Sequence, residues 1–182
     1  MAWYRYTRRL CVTTHDEKLW YIFRHGLATH SKTGYGDRIL TAEVLPEGIP
    51  PIRRLGTYLL HMPYDAGYRS ELIRCQQTAA IVTEITGHPF TADPRLNEQI
   101  DEPYTRVLER VQNFLDEVSE TPHRHIWVCT HGAIIAALKH LLTREAHTPV
   151  NQNDYTQPGE LLIIRERQPE VMRFDSGETT YV

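Results

Sequence analysis

Lysine is nearly missing from this chain. It stands only at Lys18, Lys32 and Lys139, so arginine supplies almost all of the positive charge. The planar fork of arginine suits phosphate and carboxylate partners, a weak pointer by itself. Cysteine is scarce too: Cys11, Cys75 and Cys129 are odd in number and form no CxxC pair. That excludes a framework in which every cysteine is paired, and it fits a reducing compartment. No apolar run approaches the roughly 20 residues of a membrane span. The arginines of the N-terminus precede no apolar stretch of the kind a signal peptide carries. Repeats, low-complexity tracts and linkers are absent as well. A net charge of −3 argues against a nucleic-acid or membrane surface as the main partner. The expectation is a soluble cytoplasmic protein; its oligomeric state is not legible.

What is present is ordinary globular material, 41% hydrophobic and 24% charged over 182 residues, enough for one domain spanning 1–182. The runs LWYIF (Leu19 to Phe23) and IWVCT (Ile126 to Thr130) are short and continuously apolar, as expected of strands covered on both faces. Helical spacing marks 52–61, through Ile52, Leu55, Leu59 and Leu60, and then Leu72 to Thr86, closed by Gly87 and Pro89. The clearest helix is 103–119, with Val107, Val111, Phe114, Leu115 and Val118 on one face and Pro103 at its first turn. Another follows Gly132. Leu161 to Arg165 and Val171 to Phe174, parted by Gln168-Pro169, read as a hairpin. Strands alternating with helices predict an α/β fold, a three-layer α/β/α sandwich around a mainly parallel sheet. Residues 1–17 are ambiguous, with an added edge strand expected around Trp3 to Tyr6.

Two buried strands end in chemistry. LWYIF runs into Arg24-His25-Gly26, and IWVCT runs into His131-Gly132. Ligands in parallel α/β sheets bind beyond the carboxyl ends of the strands, near helix N-termini, so both His-Gly pairs are expected to face one crevice. Glycine there lets a ligand approach the backbone N–H closely. A third segment, RSELIRCQQTAAIV, places Arg74 near a helix start, and PRLNEQ offers Glu98. Phosphoryl transfer needs a nucleophile, cations for the equatorial oxygens and a proton source for the leaving oxygen. A neutral His25 flanked by Arg24 and Arg74 meets the first two needs, because the guanidinium groups disfavour imidazolium and then fork onto phosphate oxygens. His131 and the Gly132 N–H are further donors. Glu98 suits the acid and base steps, although a Glu beside two arginines is expected to ionise readily.

These segments resemble the histidine phosphatase superfamily, in its phosphoglycerate mutase-like branch. The resemblance rests on RHG after the first strand, S-x-L-x-R-x-x-x-T-A from Ser70 to Ala79, R-L-N-E from Arg95 to Glu98, and HG after a late strand. Asp37, Leu40-Thr41 and Leu55-Gly56 resemble the family's D-x-x-L-T…L-G stretch. The matches run from about 20 to 165 in the family's order. The resemblance implies a phosphoglycerate mutase-like fold with His25 as the phosphorylated nucleophile. It also implies a phosphate pocket of Arg24, Arg74 and His131, with Glu98 as acid and base. Many relatives carry an acidic residue after RHG and an asparagine a little later. Here the chain reads Leu27-Ala28-Thr29-His30-Ser31, and Ser31 is the candidate substitute as a phosphate donor.

The segment between Glu98 and His131 is short, which implies a reduced cap, an open site and a phosphatase rather than a mutase. The expected substrate is a small phosphate monoester. Two alternatives stay open: a phosphatase of protein phosphohistidine, and a phosphate-recognising module without turnover. No cofactor and no metal are expected, since His123 and His125 lie in no metal-ligand pattern. Cys75 and Cys129 read as small packed residues.

Overall fold

The structure is a computed structural model that describes residues 17–29, 35–144 and 156–174, together with the backbone of 180–181. The segment around Trp3 to Tyr6 and the candidate Ser31 lie outside the described residues. The described chain builds one seven-stranded sheet in the order β3-β2-β4-β1-β5-β6-β7. Its strands are β1 (Leu19–Arg24), β2 (Ala66–Arg69), β3 (Thr91–Ala92), β4 (His125–Thr130), β5 (Glu160–Arg165), β6 (Gln168–Arg173) and β7 (Thr180–Tyr181). Four helices, α1 (Ile49–Leu59), α2 (Ile73–Thr86), α3 (Tyr104–Ser119) and α4 (Gly132–Thr143), cover it.

The continuous apolar runs of β1 and β4 are explained by their place at the centre of the sheet. Alternate side chains enter two different cores. Trp20, Ile22, Ile126 and Val128 join the stripe of α3 and the apolar face of α4 on one side. Tyr21, Phe23, Trp127 and Cys129 join Ile52, Leu55 and Leu59 of α1 and Cys75 and Val82 of α2 on the other. Each sheet face therefore carries its own helical layer, and the three-layer α/β/α expectation holds.

The sheet is mixed. Strands β3, β2, β4 and β1 run parallel, whereas β5 pairs antiparallel with β1 and continues into the antiparallel β6. The parallel block carries the site, and the expected hairpin extends the other side, although its turn is Glu166-Arg167 and Gln168 and Pro169 already belong to β6. Three strands had no signal in the sequence: β2 (AGYR) and the two-residue β3 and β7 are too short to show a period. The first helix begins earlier than its apolar spacing indicated, at Ile49, because Pro50 and Pro51 occupy a first turn where a missing N–H costs nothing. Pro103 is the residue that caps α3 rather than its first helical position. Among the described residues no helix is long and apolar enough to cross a membrane.

Candidate active site

The two histidines are placed by sheet register. Arg24 at the end of β1 pairs with Thr130 at the end of the parallel β4, and the His25 N–H donates to the Thr130 carbonyl at 3.0 Å, carrying the ladder one residue further. His131 follows as the residue preceding α4. The two imidazoles are fully buried, with ring centroids 5.1 Å apart. Neighbouring α2 brings Arg74 in its first turn. The turn behind His25 is pinned by Thr78, whose hydroxyl accepts from the Gly26 N–H at 3.0 Å and donates to the Arg74 carbonyl at 2.7 Å. Gly26 has no room for a side chain: a Cβ there would stand 2.3 Å from Cδ1 of Ile52.

Hydrogen-bond logic fixes the protonation of His25. Its Nδ1 lies 2.8 Å from the Gly26 carbonyl, which can only accept, so Nδ1 carries the proton. Nε of Arg74 can only donate, and it reaches Nε2 at 3.1 Å, so Nε2 presents a lone pair. Burial first, and then the guanidinium groups of Arg24 and Arg74, hold His25 well below the ordinary imidazole range. The ring is a neutral base with its reactive nitrogen facing the arginine.

His131 has the opposite tautomer. Ser70 donates its hydroxyl proton to Oδ1 of Asn97 at 2.9 Å, an atom identified as oxygen because it also accepts the Glu71 N–H at 2.8 Å. With that proton committed, Ser70 can only accept at its 2.8 Å contact with His131, so Nε2 of His131 carries the hydrogen. The sulfur of Cys75 lies 3.5 Å from the same nitrogen. Nδ1 is thus the bare atom, buried and without a hydrogen-bond partner among the described residues, 3.5 Å from Oε2 of Glu98. Burial, His25 and Arg74 keep this ring neutral too, well below the usual histidine range.

Glu98 follows the 3-10 turn Pro94–Leu96, and its Oε2 stands 3.7 Å from Nη2 of Arg74. Sequence reasoning expected the arginines to ionise it readily. Burial instead raises its carboxyl above the ordinary glutamate range, against the opposing pull of Arg74 and Arg24. Arg24 donates from Nη1 to the Thr156 carbonyl at 3.1 Å. Its Nε, like Nη2 of Arg74, is buried with no hydrogen-bond partner among the described residues. Buried donors of this kind call for an acceptor, and an anionic ligand's oxygens would supply it. His25, Glu98 and His131 each offer an atom within 4.8 Å of the others, a spacing that a metal ion can use. Two guanidinium groups alongside, and an arginine N–H already on the His25 lone pair, make the space fit an anion instead.

The structure thus brings together five of the residues picked out in the sequence: Arg24, His25, Arg74, Glu98 and His131. Gly132 opens α4 directly behind His131. Sequence reasoning missed Tyr35, whose ring lies 4.4 Å from the Arg74 guanidinium and edge-on to His25. It missed the Ile39 carbonyl, which accepts from Nη1 of Arg74 at 2.5 Å. Both lie in or beside the stretch from Asp37 to Thr41 that resembles the family's D-x-x-L-T, but no role had been given to either. Ser70 and Asn97 stood inside quoted motifs, which was the available signal, but no role had been given to them.

Comparison with known proteins agrees with this arrangement. Residues 20–101 match the histidine phosphatase superfamily, branch 1. Arg24, His25, Arg74 and Glu98 of this histidine phosphatase-like chain fall inside that match, and His131 lies beyond it. No curated protein matches by sequence. Among solved structures, the alpha-ribazole phosphatase from Shigella flexneri is similar at 20% identity and a TM-score of 0.65, covering 87% of this chain and 96% of that one. A mycobacterial glucosyl-3-phosphoglycerate phosphatase shares 22% identity at a TM-score of 0.57, over 71% of this chain and 81% of its own. A phosphoglycerate mutase from Bacillus anthracis shares 15% identity at 0.59, over 92% and 93% of the two chains. At such identities the likeness is one of fold: phosphoglycerate mutase-like α/β.

Proposed function

We propose that this chain hydrolyses phosphate monoesters through a covalent phosphohistidine on Nε2 of His25. One observation carries the reading: the buried lone pair of that nitrogen stands beside arginine N–H groups, Nε of Arg24 and Nη2 of Arg74, that have no hydrogen-bond acceptor among the described residues. Nucleophile and oxyanion cradle are therefore preorganised. Phosphatases among the fold neighbours support the same class.

In this scheme Nε2 of His25 attacks phosphorus while Arg24 and Arg74 hold the equatorial oxygens. The phosphorus–oxygen bond to the leaving alcohol breaks, and the alcohol takes a proton from Glu98, whose affinity for it burial raises. Water then attacks the phosphohistidine, Glu98 recovers a proton from it, and inorganic phosphate leaves with His25 restored. The substrate is a small phosphate ester, no metal takes part, and the working compartment is the cytoplasm.

Hydrolysis of para-nitrophenyl phosphate in the presence of a chelator tests the scheme. Activity is expected to survive the chelator and to vanish in His25→Ala, and an acid-labile phosphoenzyme should be trapped from the wild type. Turnover that persists without His25 would overturn it. Oxyanion binding with no turnover on small esters would redirect the reading to a phosphohistidine-protein substrate or a recognition module.

A further inference from the structure

His131 faces the phosphate position with the wrong nitrogen for a donor. Its proton sits on Nε2, turned away toward Ser70, and a bare Nδ1 is buried without a hydrogen-bond partner among the described residues. A neutral His131 would set that lone pair against the oxygens of a phosphate dianion. Such an arrangement binds the dianion only if one more proton enters between Nδ1 and an oxygen.

We propose that Ser70 and Asn97 are positioning residues that lock the His131 proton on Nε2, so that the site takes up a proton at Nδ1 when a tetrahedral oxyanion binds. The inference rests on the phosphate reading of the same pocket. The lock is a chain of forced donors. Asn97 is oriented from both ends, Oδ1 by the Glu71 N–H at 2.8 Å and Nδ2 by the Glu71 carboxylate at 2.9 Å. It therefore commands the Ser70 hydroxyl proton, and the Leu72 N–H takes a second position on Ser70 at 3.2 Å. Ser70 has only acceptor capacity left for His131.

The charged and titratable groups around His131 explain why the proton is not resident beforehand. Arg24 and His25 face it from β1 and the residue after it, Arg74 and Cys75 from α2, and Arg110 from α3, with Glu98 on the connecting loop. All but Glu98 are neutral or cationic, and Glu98 holds its own proton more firmly than an ordinary glutamate does. A bound dianion reverses that balance and makes imidazolium at His131 favourable. His131 then acts as a charged donor to the phosphoryl group, a stronger one than a neutral imidazole.

Two measurements decide this. Nitrogen-15 imidazole shifts of the free protein should show His131 protonated on Nε2 and bare on Nδ1. They should show the reverse tautomer in Asn97→Ala, where Ser70 regains a proton to donate, and in Ser70→Ala, where Nε2 loses its acceptor. Calorimetry with tungstate at pH 8, in buffers of different ionisation enthalpy, counts protons directly, because tungstate is a tetrahedral dianion that brings none. A Glu98→Gln background removes the other group able to gain a proton. In that background binding should take up about one proton per site, and adding Ser70→Ala or Asn97→Ala should bring the uptake close to zero while tungstate still binds. Ser70→Thr should restore it. An Nδ1-protonated His131 in the free wild type, or an uptake unchanged by both relay variants, would overturn the inference. If tungstate does not bind at all, the phosphate reading fails, and the wild-type tautomer by itself decides for or against the lock.

Discussion

Nε of Arg74 donates into the one lone pair of His25 that can attack phosphorus, across 3.1 Å. In the free protein the nucleophile is therefore held and masked by the same arginine that the transferring group needs. When a phosphoryl oxygen arrives, the Arg74 N–H has a better acceptor and the lone pair is released. Lysine keeps the charge but lacks the fork that spans both partners. Arg74→Lys should lower kcat on the order of 100-fold, the scale typical of one preorganised donor. Steady-state kinetics on para-nitrophenyl phosphate, with circular dichroism to verify folding, checks this. A variant within a few-fold of wild type counts against the pocket.

The pH profile follows from two shifts of known direction. His25 must be neutral, and its affinity for a proton is lowered, so the acid limb of kcat/KM should lie below the ordinary histidine value of about 6.5. Glu98 must be protonated for the first step, and burial raises its value, so activity should fall as pH rises through it. Glu98→Gln should remove the alkaline limb. It should also slow alkyl phosphates far more than para-nitrophenyl phosphate, whose leaving group needs no proton. Equal slowing of both substrates would take the acid role away from Glu98.

Stability should carry the mark of the buried histidines. Both rings resist protonation when folded, whereas the unfolded chain gains protons below about pH 6.5. The folded state should therefore lose stability as pH drops through that value and onward to the lowered native values. Urea midpoints between pH 8 and 5.5 read the slope, and His131→Gln should flatten it. An unchanged slope would mean that His131 is not the titrating group.

Gly26→Ala tests how tightly the turn behind the nucleophile is built. The added methyl would stand 2.3 Å from Cδ1 of Ile52 and 3.1 Å from Cγ1 of Val44. Overpacking of this kind costs about 1–3 kcal/mol. Ile52→Val removes the nearer atom, so the double variant should recover much of the loss. A double-mutant cycle in urea measures it, and simple additivity would show that the contact does not govern the site.

Much of this architecture was legible because it is written in contiguous runs. LWYIF and IWVCT announce central strands, and the polar motifs that end them announce the crevice. The α3 stripe from Val107 to Val118 was equally plain. What escaped depends on contacts across the fold. β2 and β3 are held by their neighbours rather than by any period of their own. Pro50 and Pro51 look like helix breakers until they are seen in a first turn. Tyr35 and Ile39 reach Arg74 from 35 or more residues away, and their own sequence gives no sign of it. The upward shift at Glu98 escaped for a related reason. Its arginine neighbours could be guessed from the motifs, but the burial that outweighs them is a property of the assembled site.

The pairing of Arg24 with Thr130 divides the molecule's evolutionary freedom. The separation between the two histidines is inherited from adjacent central strands, so it is as hard to perturb as the sheet itself. The segment 99–103 beyond Glu98 meets that frame through few bonds, whereas 35–45 holds Arg74 through Tyr35 and Ile39. Sequence drift in the former can reshape the approach to the site and, in the proposed phosphatase, exchange one leaving group for another without disturbing the histidine pair beneath. New specificity in such a protein is inexpensive at the rim, while loss of activity has to begin in the sheet.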